Sequence, residues 1–225
     1  PRPDESQRPR AANMSLEVFD VRHDLKNLFV SPQIRARFMQ MQPGEVSKWH
    51  SHDLGHEIFL VLKGKALFEI GDESEELEPG QLCVANVDQP HRVTVLGDEP
   101  MTMYLSVTPH VQPTHTFLDR DGERLPTRFM PSSAYDVDTD TRTPMEELIN
   151  RFVDMSDEFS QMVQAAAQEQ RMTGARLTRA LSSNNLDAVD SQREAMWFAL
   201  YRVYHKLDEL TSLWNTVAPR AGRVK

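Results

Sequence analysis

At 225 residues, with 39% hydrophobic and 26% charged side chains, the chain has the length and composition of one large or two small globular domains with a real core. Its formal charge of −9 arises in residues 1–140, where 14 Lys/Arg face 23 Asp/Glu, against 11 and 11 in residues 141–225, which argues against a nucleic-acid partner. Apolar runs fall short of the roughly 20 residues of a membrane span, and the single cysteine, Cys83, excludes an intramolecular disulfide and makes a cytoplasmic location the expectation.

Residues 1–13 are polar and lack the apolar segment of a secretory signal, so residues 1–19 read as a disordered tail. From Leu28 to Met41 the sequence becomes strand-like, with Ile34 to Met41 partly alternating, and Pro43-Gly44 marks a turn. Strands are predicted at about Ser47–His52, Ile58–Leu62, Ala66–Ile70, Gln81–Ala85, His91–Leu96 and Met101–Thr108. Gly64, Gly71-Asp72, Pro79-Gly80, Gln89-Pro90 and Gly97-Asp98 separate them. Short strands with a turn every roughly 8–12 residues indicate an antiparallel sandwich or barrel and not a parallel α/β sheet. The acidic run Asp72 to Glu78 reads as a solvated hairpin tip.

The chemistry is concentrated between Gly44 and Gly64. His50 and His52 are two residues apart, so on a strand both rings project from one face. Asp53-Leu54-Gly55 carries turn formers, and Ile58 to Leu62 reads as a second strand with Glu57 at its head. Two imidazoles and a carboxylate converging from adjacent strands make half of a divalent-metal site. His56 competes with Glu57 for the ligand role. Alternation admits only one of them to the interior, and Glu57, which shares the parity of Phe59 and Val61, is favoured.

Gly44, five residues, His50-x-His52, four residues, Glu57, six residues and Gly64 together resemble the first motif of the cupin superfamily. Pro79-Gly80 through His91 resembles the second motif more loosely. Asn86-Val87-Asp88 stands where the family has Pro-x-Gly, and Val95 replaces the usual Asn; an aspartate can adopt the left-handed backbone a glycine would supply. The resemblance implies a jelly-roll barrel of two antiparallel sheets over residues 20–115, a site in its mouth, and His91 as a ligand beside His50, His52 and Glu57.

Three imidazoles and a carboxylate leave two positions open on an octahedral ion. They suit Fe(II), favoured here, or Mn(II), Ni(II) or Zn(II), whereas a tetrahedral Zn(II) would be saturated and only structural. The activity implied is that of a metal-dependent enzyme acting on a small organic molecule, with dioxygenase chemistry ahead of isomerase, lyase or decarboxylase. The alternative is a non-catalytic binding or sensing module whose helical tail reports the ligand. No residue is assigned a catalytic role. Lys48 shares the parity of His50 and His52 and either reaches the pocket, to hold a substrate carboxylate, or stays solvated. Gln40 and Tyr104, on flanking strands, are further substrate-binding candidates. His110 and His115 are expected to anchor the connector, and Cys83 to lie in the core.

Residues 116–142 continue a Pro- and Asp-rich connector, and residues 143–218 read as a helical hairpin before a short tail over 219–225. Thr143-Pro144 supplies a cap and a proline at the first helical position. Leu148, Phe152, Met155, Phe159, Met162 and Ala166 recur at spacings of four and three. The first helix is expected to stop at Gly174, with a short helix over 175–181. In the second helix Leu186, Val189, Met196, Leu200, Val203, Leu207, Leu210, Trp214 and Val217 form the matching seam. Trp197, Phe198 and Tyr201 widen the apolar surface beyond one partner helix, so a homodimer is expected. The fold class is mainly β with an α-helical C-terminal extension.

Overall fold

The computed structural model describes residues 16–138 and 140–222, so most of the tail expected over 1–19, and residues 223–225 of that expected over 219–225, lie outside the described residues. Among the described residues ten strands form: β1 (Asn27–Val30), β2 (Arg35–Met41), β3 (His50–Ser51), β4 (His56–Lys63), β5 (Lys65–Ile70), β6 (Glu73–Leu77), β7 (Leu82–Ala85), β8 (His91–Leu96), β9 (Met101–Thr108) and β10 (Thr116–Phe117). They make two five-stranded antiparallel sheets, ordered β1-β2-β9-β4-β7 and β10-β3-β8-β5-β6. Two long helices follow, α1 (Met145–Ser182) and α2 (Leu186–Val217). The molecule is thus a double-sheet β-barrel with a helical hairpin appended. Among the described residues, no helix is long and apolar enough to cross a membrane.

The period-2 pattern decides which side chains fill the barrel. Along β4, Glu57, Phe59 and Val61 are buried while His56 is exposed. On β8 His91, Val93 and Val95 are buried. Phe59, Val61, Val93 and Val95 meet Met41, Phe68, Met101, Met103 and Leu105 in one apolar core between the sheets. Cys83 packs at its edge, where burial, aided by the Glu57 charge, pushes the thiol up to about 12, so it stays protonated and unreactive. Gly64 closes the first motif for a steric reason. Its φ is +73°, and a Cβ there would sit 2.7 Å from the Pro100 carbonyl oxygen. Asp88 does what a glycine would do in the second motif, with φ at +60°.

Three elements differ from the sequence reading. The strand expected over Ser47–His52 shrinks to His50–Ser51, with only an isolated bridge from Val46 to Thr94 before it. The acidic run is strand β6, paired with β5 from Ala66↔Leu77 to Ile70↔Glu73. Its glutamates face solvent on an edge strand, where charge discourages pairing with another chain. Helix α1 passes through Gly174 without interruption, because one glycine costs only about 1 kcal/mol against the many apolar contacts of a 38-residue helix.

The hairpin is stitched to the barrel at one end. The Trp214 indole N–H donates to the Gln112 carbonyl at 2.6 Å. The Asn215 amide accepts from the Gln112 N–H at 2.9 Å and donates to the His110 carbonyl at 2.8 Å. Leu148, Leu213 and Val217, with Met145, Phe152 and Met155 against them, form a small second core at that end.

Candidate metal centre

The short strand β3 lies between β10 and β8, with His50 opposite both Phe117 and His91. Glu57 enters from β4 in the facing sheet. His50, His52, Glu57 and His91 therefore come together from the two sheets, with one ligand atom from each, all within 4.8 Å of one another. Glu57 Oε2 is 2.8 Å from His52 Nε2, 2.9 Å from His91 Nε2 and 3.7 Å from His50 Nε2. His52, Glu57 and His91 are each at most 2% exposed.

The other ring nitrogen of each histidine fixes its tautomer. His50 Nδ1 lies 2.8 Å from the Lys48 carbonyl and His91 Nδ1 lies 2.9 Å from the Gln89 carbonyl, while His52 Nδ1 bonds the Thr114 carbonyl. A carbonyl only accepts, so each Nδ1 donates, and each neutral ring presents a lone pair at Nε2. Three Nε2 lone pairs then converge on a carboxylate, which also only accepts. A proton on any of those Nε2 atoms would bond the carboxylate, and such bonds with His50, His52 and His91 outweigh the burial that would raise the Glu57 carboxyl, holding it well below the usual carboxylate range, so it is ionised. Burial meanwhile lowers the His50 pKa, more than Glu57 raises it, so protonating that ring is disfavoured. Four acceptors aimed at one point, three of them on buried residues, could hold a cation between them.

The donor set fits one. Adjacent donors on an ion with bonds of about 2.1 Å lie roughly 3 Å apart, close to the His52 and His91 separations from Glu57. Backbone carbonyls behind each imidazole are the outer-shell partners that orient metal-ligating histidines. His50, His52, Glu57 and His91 would hold the ion.

Beside the cluster is a cavity of about 240 Å³, lined by His50, Glu57, His91 and His115 together with Met39, Met41, Phe59, Met103 and Leu105. It is smaller than the roughly 300–1,000 Å³ of drug-sized sites, so its ligand is small.

The remaining candidates fall elsewhere. On β2 the odd positions Arg35, Arg37, Met39 and Met41 line the cavity, so Gln40 points outward and bonds Thr102 Oγ1 at 3.2 Å. Tyr104, out of phase with Met103 and Leu105, packs on Phe38 on the same outer face. Neither touches the site, because both have the outward parity. Lys48 precedes the two-residue strand, so parity with His50 does not apply to it; its side chain is exposed and its ammonium lies 5.6 Å from the Phe117 ring centroid. It contributes its carbonyl to His50 instead.

Three residues outside the two motifs belong to the site. His115 does not merely anchor the connector: its ring lies 5.0 Å from His50 and 4.9 Å from His52, stacked on Phe117. Burial, with the neighbouring histidines, holds its pKa well below the ordinary value, so it is a neutral wall of the cavity. Arg35 and Arg37 also enter from β2. Their signal is present in Arg35-Ala36-Arg37-Phe38-Met39, where arginines share the parity of the methionines. His110 is buried against Tyr135, ring centroids 4.6 Å apart, and burial depresses its pKa to about 3.

The family model for the cupin domain matches residues 37–108. No curated protein matches the chain. Among solved structures, the chain is similar to a conserved protein with a double-stranded β-helix domain from Klebsiella pneumoniae subsp. pneumoniae, at 18% identity over 47% of this chain and 100% of that one, with a TM-score of 0.43. It is also similar to TT1209 from Thermus thermophilus, at 22% identity over 42% and 98% of the two chains, with a TM-score of 0.40. KdgF from Halomonas sp. is similar at 24% identity over 39% and 78%, with a TM-score of 0.36. Two antiparallel five-stranded sheets, the motif from Gly44 to Gly64 and the family match agree, and residues 37–108 of the chain form a cupin domain.

Proposed function

We propose that the protein is a metal-dependent cupin enzyme acting on a small organic molecule, with Fe(II) as the favoured ion and dioxygenase chemistry as the favoured reaction. One observation carries the reading: three Nδ1-anchored imidazoles and a buried carboxylate aim their acceptor atoms at one point on the wall of a small cavity. When bound, a divalent ion there supplies open coordination positions that polarise substrate oxygens or take up O₂. The chain's own residues orient and exclude. Carbonyls of Lys48, Gln89 and Thr114 lock the imidazoles, and Met39, Met103, Leu105 and Phe117 keep water from the ligand's apolar part. Elemental analysis of protein purified without an affinity tag tests the ligand set. Near-stoichiometric metal is expected in the wild type and its loss in His50→Ala and His91→Ala, each still folded by circular dichroism. Full occupancy in a His50/His52 double alanine variant would sink the assignment.

A second reading, a sensing cupin, is favoured by the path from the site to the hairpin. His52 is held by the Thr114 carbonyl, and Gln112, two residues earlier, is held by Trp214 and Asn215 of α2. A shift of His52 on ligand binding would be felt in the helix within one short segment. Under either reading the hairpin is proposed to form a homodimer. Trp197, Leu200, Tyr204 and Leu207 recur at spacings of three and four on α2, each at least 40% exposed, as a second seam facing away from α1.

A further inference from the structure

Two guanidinium groups inside a barrel demand an account. Arg35 is only 4% exposed, and Arg37 follows it on the same face of β2, so both enter the cavity that holds the metal centre. Their Nε atoms are buried and have no hydrogen-bond partner among the described residues. Arg35 Nη2 lies 4.0 Å from Glu57 Oε1, beyond hydrogen-bonding reach, and its guanidinium stands 5.3 Å from the Tyr135 ring centroid. Among the described residues Glu57 is the only carboxylate lining the cavity, and its buried pairing with Arg35 leaves Arg37 without a carboxylate there. Asp136, whose charge also reaches Arg37, accepts from the Asn27 N–H and side-chain amide.

The charge balance is therefore open. Two largely buried cations face one carboxylate, and a divalent ion would raise the positive excess further. A buried charge without a partner is among the costliest arrangements in a protein. Burial and the neighbouring Arg35 already depress the Arg37 pKa, as expected of like charges held together out of water. A guanidinium fork matches a carboxylate in shape, donating two parallel hydrogen bonds. Further along β2, and on the paired β9, the cavity lining is apolar, formed by Met39, Met41, Met103 and Leu105, which suits a hydrocarbon body and not a free inorganic anion.

We infer that Arg35 and Arg37 bind the carboxylate of a small monoanionic organic acid whose apolar body fills the methionine-lined part of the cavity. The position of that acid beside the metal centre rests on the function proposed above; its recognition by the arginines does not.

Isothermal titration calorimetry with hexanoate, and with hexanamide as its neutral counterpart, tests this on the metal-loaded full chain, with metal content measured on every sample. Hexanoate is expected to bind at least tenfold more tightly than hexanamide. Arg37→Met should weaken hexanoate by roughly ten- to hundredfold, the loss of charge-assisted hydrogen bonds, with metal content unchanged. Arg35→Lys, which keeps the buried charge but not the fork, serves as the second variant, and circular dichroism verifies folding of both. Equal affinity for acid and amide, or hexanoate binding untouched by both substitutions in folded protein, would overturn the inference while leaving the metal reading intact. So would inorganic phosphate displacing hexanoate at equal concentration, which would reveal a bare anion site. Repeating the titration after chelation separates the two claims, since hexanoate binding that persists without metal and still depends on Arg37 supports the arginine site on its own.

Discussion

Glu57→Gln is the sharpest perturbation of the metal centre, because it changes charge while keeping shape. Two effects oppose each other in the metal-free protein. The amide nitrogen could take the Oε2 position, 2.8 and 2.9 Å from His52 and His91 Nε2, and donate to both lone pairs, a gain of about 1–3 kcal/mol. Against this, Arg35 loses the carboxylate 4.0 Å away in a site where both partners are at most 5% exposed. Breaking a buried pair costs about 3–5 kcal/mol, so the loss wins by roughly 2 kcal/mol. Added metal separates the proteins further. At a hundredfold excess over Kd the wild type gains about 2.7 kcal/mol, worth roughly 5–11 °C in Tm for a chain of this size, and the variant gains almost nothing. Thermal melts followed by circular dichroism, with and without Fe(II) under anaerobic conditions, measure both differences. A metal-induced rise in Glu57→Gln equal to that of the wild type would refute the ligand assignment. A metal-free variant more stable than the wild type would refute the weight given to the Arg35–Glu57 pair.

His110 predicts a pH dependence. Its folded pKa of about 3 lies below the ordinary value of 6.5, so below pH 6.5 the unfolded chain binds a proton that the folded chain refuses, and stability falls with pH. Between pH 6.5 and 5 this residue alone removes about 2 kcal/mol, and urea melts of His110→Phe should show a correspondingly flatter profile; an unchanged slope would exclude it. For the hairpin, light scattering of the full chain at micromolar concentration should give a dimer, and Leu200→Glu with Tyr204→Glu should give a folded monomer. A wild type that is already monomeric would refute the outward seam.

Most of the barrel is legible in the sequence because its signal is local. Turn residues at Gly64, Gly71, Pro79-Gly80 and Gly97 punctuate strands whose alternation reports burial, and the spacing of His50, His52 and Glu57 is itself a statement about which face each occupies. Parity fails where there is no strand to carry it. Lys48 is in phase with His50 by count, but regular structure begins only at His50. Gln40 and Tyr104 have the polarity of pocket residues, and the register Gln40↔Thr102 and Phe38↔Tyr104 sets both on the outer face. His115 lies beyond local reasoning, since only the pairing of Thr116 and Phe117 with β3, more than sixty residues earlier in the chain, brings its ring against His50.

The helices make the same point about phase. In α1 the stripe from Leu148 through Ala166 is the buried one, because apolar residues occupy it without competition. In α2 two stripes compete. Met196, Val203, Leu210 and Val217 lie toward α1 together with Ala199 and Leu213, whereas Leu200 and Leu207, assigned to the same seam by spacing, are 54% and 40% exposed. Spacings of three and four cannot distinguish a single seam that drifts from two seams on adjacent faces. The arbitrating residues are small or mixed in character: Ala199 is fully buried, and the Lys206 ammonium pairs with Glu158 of α1 at 2.5 Å while most of its side chain is covered. An alanine and a lysine carry little weight in a hydrophobic pattern, yet here they mark the face that meets α1. The larger residues, Trp197, Leu200, Tyr204 and Leu207, are left on the face that does not.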